Sequence, residues 1–148
     1  MNLDAQWVVG FTDGEGCFHI GIAKHPEMKQ GFQILPEFTI VQHEKDVKVL
    51  YALKQFFGCG VVRRNHDDRM CWRARKLEHL GNRIIPFFDK HSLKTRKQQD
   101  YLVFRRVVLM MLEKHHLTEE GLKEIQAMVS RKFRSECSDK GKVKSSSL

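Results

Sequence analysis

Val8-Val9-Gly10-Phe11-Thr12-Asp13-Gly14-Glu15-Gly16 lies near the start of the chain and combines features that a solitary helix would not keep. Gly10 and Gly14 are four residues apart, so on a helix they share one face, with Trp7 and Phe11 beside them. A helix face without side chains lets another backbone come unusually close, yet each glycine costs about 1 kcal/mol relative to alanine. The helix must gain something from that closeness. Asp13 and Glu15 fall where the helix ends, next to Gly14 and Gly16. That is the unfavourable end for carboxylates, because the C-terminal dipole is already negative. A bound cation resolves the conflict. A tight helix–helix seam with carboxylates at its foot reads as a metal site shared between two copies.

Working outward, Asp4 is positioned to cap this first helix, which runs into Gly14. From Cys17 to Lys24 the residues alternate, with Phe18, Ile20 and Ile22 on one face and Cys17, His19, Gly21 and Ala23 on the other. This is the pattern of a half-buried strand. His25 to Gly31 reads as a turn. A second strand follows, with Ile34, Phe38 and Ile40 inward and Gln33, Glu37 and Thr39 outward. Pro36 lacks an N–H for the ladder, so it predicts an edge position or a bulge.

Glu44 to Phe57 has helical spacing and is stopped by Gly58 and Gly60. Gly60–Asn65 and Met70–Arg75 form a hairpin around His66-Asp67-Asp68. Leu77 to Lys90 is a helix that Pro86 should kink or break. Arg96 to His115 reads as the longest helix, and Thr118 caps a last one. The order is helix, strand pair, helix, strand pair, helices. That is an α+β plan with an antiparallel sheet and helices on one face. No second copy of the first motif occurs in the chain. A seam helix therefore needs a second chain, and a symmetric dimer is the simple answer. Residues 1–134 form the predicted domain and 135–148 a Ser/Lys-rich flexible tail.

The chain of 148 residues is long enough for one domain with its own core. Its net charge of +8 points to phosphate-rich partners, with a merely solvated basic surface as the alternative from charge alone. Cys17, Cys59, Cys71 and Cys137 show no C-x-x-C pairing, which argues against a zinc finger. With no signal-peptide pattern they read as reduced, intracellular thiols. No apolar run is long enough to span a membrane.

The uncovered sheet face must meet water or a ligand. Its outward positions include His19, Gln33, Arg63, Arg73 and Arg75, provided the last strand does not slip by one residue and turn Trp72 outward. A two-stranded ribbon fits the major groove of DNA, and arginine pairs bidentately with guanine. Lys24, Lys29, Arg64 and Arg69 fall at strand ends or turns, where backbone phosphates would pass. An ordinary polar outer face is the alternative. His43, after Gln42, reads as a helix-start histidine.

The opening segment resembles the LAGLIDADG signature of homing endonucleases. Gly10, Asp13 and Gly16 match it letter for letter, Glu15 stands for its second acid, and Val8, Val9, Phe11 and Thr12 are apolar or small substitutes. The resemblance continues to roughly Phe133. Phe38-Thr39-Ile40-Val41-Gln42 is similar to the family's strand end beside the active site. Phe87-Phe88 followed by Leu93-Lys94-Thr95-Arg96-Lys97-Gln98-Gln99-Asp100-Tyr101 resembles a family segment in which a lysine supports catalysis. Lys97 matches that lysine best, with Lys94 and Arg96 as rivals. His116-Leu117-Thr118-Glu119-Glu120-Gly121-Leu122 resembles a family helix start and reads as structural.

The resemblance implies an αββαββα fold with a saddle-shaped antiparallel sheet. It implies a homodimer, joined through Trp7, Gly10, Phe11 and Gly14, that makes a metal-dependent double-strand cut in a long pseudo-palindromic DNA target. Glu15 and the Gly14 carbonyl would hold Mg²⁺, while Gln42 and Lys97 would assist as catalytic groups. The alternative is a non-cleaving nucleic-acid-binding protein of the same fold, such as an intron maturase, for which intron RNA would be a partner. The implied setting is intracellular: a chloroplast, a mitochondrion or the bacterial cytoplasm.

Overall fold

Asp4 begins the first helix as the sequence predicts: its carboxylate accepts from the amides of Gln6 at 2.8 Å and Trp7 at 3.2 Å. The computed structural model describes the backbone of residues 1–146 and the side chains of residues 1–132. Helix α1 (Ala5–Glu15) passes directly into strand β1 (Gly16–Lys24), which turns into β2 (Phe32–His43). A single 3₁₀ turn at Glu44–Asp46 leads into α2 (Val47–Phe57). The hairpin β3 (Val61–His66) and β4 (Arg69–Ala74) follows. The helical remainder comprises α3 (Leu77–His79), α4 (Ile85–Lys90), α5 (Lys97–Leu112) and α6 (Glu119–Ser146).

The sheet is antiparallel, in the order β1-β2-β4-β3. Strand alternation sends Phe18, Ile20, Ile34, Phe38, Ile40, Trp72 and Ala74 to one face, and all are buried. The helices supply the facing layer through Leu50, Leu53, Ile84, Phe88, Tyr101, Phe104 and Val107. Phe18 is the junction. It stacks on Phe38 at 4.6 Å and meets the rings of Phe88, Tyr101 and Phe104 at 5.4, 5.3 and 5.2 Å. Truncating a ring at such a point to alanine costs about 3–5 kcal/mol, because the close-packed walls cannot collapse into the space.

Trp72 fixes the phase of β4. It is fully buried, stacks on Phe57, and donates its indole N–H to the Cys59 carbonyl at 2.9 Å. Gly60 makes this possible: its φ of +91° suits glycine, and a Cβ there would run into the Trp72 ring. Arg73 therefore points outward, opposite Thr39 and Val61.

Two of the sequence expectations are met in a particular form and one needs correction. β2 is an interior strand with no bulge against β1, and Pro36 pairs in register with Ile20. It is tolerated because β4 pairs with β2 only from Phe38 onward, leaving the Pro36 stretch with β1 alone as neighbour. The longest helix is α6, of 28 residues, and not the segment before it. Lys114, with φ of +60°, ends that earlier segment. Pro86 does break its helix, and the break takes the form of a π-helical turn over Leu80–Ile84. The predicted boundary at 134/135 falls inside α6, where the side chains lie outside the described residues. Cys17, Cys59 and Cys71 are free thiols; Cys137 lies outside the described side chains.

Candidate functional site

Helix α1 has two unlike faces. Val8, Val9 and Thr12 are buried against the core, whereas Trp7, Gly10 and Gly14 are exposed. A Cβ at either Gly10 or Gly14 would meet nothing within 4 Å among the described residues. Nothing among the described residues therefore crowds these two glycines. Trp7 stacks on Phe11 at 4.7 Å and stays 43% exposed, so a rigid aromatic pair flanks the bare strip. Gly16 is different, since a Cβ there would fall 2.7 Å from the Thr12 methyl. Only glycine fits where the helix turns straight into the strand.

The foot of α1 is built by two exchanges with the start of α5, some eighty positions away in sequence. Asp13 reaches across and accepts from the Lys94 amide at 2.8 Å, the Thr95 amide at 3.1 Å and the Thr95 hydroxyl at 2.7 Å. Burial works against the charge, but the Thr95 hydroxyl, the two amides and the Lys97 ammonium outweigh it. They hold the Asp13 carboxyl below its ordinary value. In return, Lys97 donates its ammonium to the carbonyls of Thr12 at 3.1 Å and Asp13 at 3.2 Å. A helix leaves its last carbonyls without partners, and a cation there also suits the dipole. Thr95 completes the joint by accepting the Lys97 amide at 3.2 Å. Asp13 is thus a structural cap, which removes it as a rival for the exposed carboxylate, Glu15.

Lys97 touches the end of α1 through its ammonium. Lys94 turns its ammonium to the Ser92 carbonyl, and Arg96 immediately precedes α5. Lys97 also acts on the outer sheet face: burial pushes the Cys17 thiol up, and the Lys132 and Lys97 ammonium groups partly offset it. Gly16 pairs with Ile40, so Gln42 sits two residues beyond that pair, at the end of the sheet where α1 arrives. Its amide nitrogen donates to the Val41 carbonyl at 2.8 Å, and its amide oxygen is by nature an acceptor. His43 is a helix-start residue: Nδ1 accepts the Lys45 amide at 3.1 Å, and Nε2 lies 2.9 Å from Asp68.

The register brings His19, Gln33, Arg63, Arg69 and Arg73 to the outer face, with Arg75 just beyond β4. Lys24 ends β1 and Lys29 lies in the following turn, both exposed. Arg64 is apart from this set. It pairs with Met70 on the helix side, next to the register shift before His66, and binds Glu44 at 3.1 Å and the Asp67 carbonyl. The helix-to-helix exchange and the Glu37 contacts on the outer face were not visible in the sequence. Thr95, two residues ahead of a helix, was the one local signal for the former.

Among the described residues no group of three or more His, Cys, Asp or Glu side chains is placed to hold a metal. One chain offers the Glu15 carboxylate and helix-end carbonyls such as that of Gly14, all hard oxygen donors. That set fits Mg²⁺ or Ca²⁺ better than zinc. Mg²⁺ in particular is commonly bound by one or two carboxylates plus substrate phosphates.

Residues 8–108 match the family described as LAGLIDADG endonuclease. Over 125 residues the chain is 37% identical to the probable intron-encoded endonuclease 2 of Neurospora crassa, covering 83% of this chain and 28% of that protein. It resembles the crystal structure of the homing endonuclease I-TnaI, with 55% identity, a TM-score of 0.83, and 86% of each chain covered. It also resembles I-SmaMI bound to uncleaved DNA target in the presence of calcium ions. There the identity is 34%, the TM-score 0.82, and coverage 84% of this chain and 43% of that one. The chain therefore spans about a quarter of the curated relative, less than half of I-SmaMI and most of I-TnaI. On this agreement of sequence and fold, the chain belongs to the LAGLIDADG endonuclease family.

Proposed function

We propose that this chain is a site-specific homing endonuclease that works as a symmetric homodimer and makes a metal-dependent double-strand cut in a long pseudo-palindromic DNA target. The observation that carries the reading is the exposed foot of α1. Glu15 stands there beside a bare glycine strip that none of the described residues packs against, and next to a sheet face rich in arginine. Packing two α1 helices through Trp7, Gly10, Phe11 and Gly14 brings two copies of Glu15 together on the two-fold axis. The half-sites of the target would mirror that axis.

Glu15 and the Gly14 carbonyl would hold Mg²⁺, which when bound supplies an activated water and neutralises charge on the attacking and leaving oxygens. Gln42 orients water through an amide that does not titrate. Lys97 has three N–H donors and spends two on the Thr12 and Asp13 carbonyls. The third is left for a phosphate oxygen, where a fixed cation stabilises developing negative charge. His19, Gln33, Arg63, Arg69, Arg73 and Arg75 face the groove, while Lys24 and Lys29 neutralise phosphates. Arg64 contributes through the hairpin it braces. The intron-encoded name of the Neurospora crassa relative supports an intron as the source of the gene, and an organelle is the proposed setting.

A plasmid library of candidate targets, incubated with the protein in Mg²⁺ or in EDTA, tests this. Linear products in Mg²⁺ and none in EDTA are expected. Tight, selective nucleic-acid binding without any cutting would replace the reading with a maturase-like one.

A further inference from the structure

Among the outward residues of the described strands, Glu37 is the one acid. It lies mid-sheet, opposite His19, on a face that otherwise carries Arg63, Arg69 and Arg73, with Arg75 alongside. A carboxylate there repels phosphates, so it lowers general affinity for a polyanion. Its own contacts show what it does instead. Oε2 accepts from Arg75 Nε at 2.7 Å, and Oε1 accepts from the Thr39 hydroxyl at 3.1 Å. The acid is the deeper partner: its side chain is 21% exposed against 60% for Arg75. Both carboxylate oxygens are engaged within the sheet surface, while Arg75 rises above it.

We propose that Glu37 is a positioning residue for base readout, holding Arg75 by its Nε so that the two terminal amino groups read one guanine in each half-site. This rests on the DNA-cutting reading above. An unsupported arginine on a surface loses several rotamers when it binds, and fixing it beforehand lowers that cost. The terminal fork of a guanidinium matches the O6 and N7 acceptors of guanine, a pairing that no other base offers on its major-groove edge. Burial alone would favour the neutral acid. The hydrogen bonds from Arg75 and Thr39 and the charges of Arg75 and Arg73 reverse that, so Glu37 stays ionised down to acid pH.

The test is a binding selection from a randomised duplex library in Ca²⁺ buffer, using the full chain and its variants. Wild type is expected to prefer guanine at one position in each half-site by about ten-fold or more. Arg75→Ala should lose that preference and no other. Arg75→Lys should lose it too, while leaving the salt dependence unchanged, because it keeps the charge and not the fork. Glu37→Gln keeps the size and the Thr39 contact. It should weaken the preference at the same position several-fold, with an unchanged melting temperature and equal or higher affinity for bulk DNA. An intact profile in Glu37→Gln, or one flattened equally at every position, overturns the inference alone. A wild type that selects no sequence at all overturns the nuclease reading, and the inference with it.

Discussion

Asp13→Ala should destabilise the domain by a calculable amount and leave a distinctive pH signature. The carboxylate accepts three hydrogen bonds from Lys94 and Thr95, which makes it a cap for the approach to α5. Losing a helix cap costs about 0.5–2 kcal/mol, and charge-assisted bonds lie toward the upper part of that range. The site is partly solvated, so water replaces some of the loss, and about 1.5 kcal/mol is a reasonable expectation. For a chain of this size that lowers the melting temperature by roughly 3–6 °C.

The sign of the pH effect follows from the depressed folded-state value of Asp13. The contribution is fully present above the unfolded carboxyl value near pH 4, and is lost as pH falls through the lower folded value. The gap between wild type and Asp13→Ala should therefore be constant from neutral pH down to about pH 5 and close below about pH 4. Asp13→Asn, which keeps one acceptor oxygen and no charge, should fall between the two. Thermal unfolding followed by circular dichroism across this range is the assay. A melting temperature for Asp13→Ala equal to wild type at pH 7, or a gap that widens in acid, would refute the capping role.

Gly10→Leu should convert a dimer to a monomer by sedimentation and abolish activity, because a branched side chain on the bare strip of α1 forces the helices apart. If the variant remains dimeric, the seam lies elsewhere. DNA affinity should fall steeply with salt as phosphate contacts release counterions, and a log–log slope near zero would remove the outer sheet face as the binding surface.

The elements that sequence made legible are those with short-range causes. Alternation of Phe18, Ile20 and Ile22, or of Ile34, Phe38 and Ile40, follows from the two-residue period of a strand and one buried face. The phase of β4 was open to a one-residue slip until Trp72, locked onto Phe57 and the Cys59 carbonyl, decided it. Pro36 reads as an edge residue and is one locally, because a strand can be interior along one part of its length and single-sided along another. Arg64 falls on the opposite face from Arg63 because neighbouring strand residues alternate, and its Glu44 partner comes from another element. The site divides likewise. Glu15 and the glycine strip were readable from nine consecutive residues. The exchange of Asp13 and Lys97 was not, because each finds its partners across the fold.

Glu15 carries the central claim. In the proposed dimer two copies of its carboxylate approach at negative helix ends, and a divalent cation relieves their repulsion. Glu15→Gln preserves size and removes the charge. Measured on one selected target in Mg²⁺, it should abolish nicking and double-strand cutting while gel-shift affinity stays equal or rises slightly. Retained cutting by Glu15→Gln would contradict the account, since Asp13 is committed to Lys94 and Thr95.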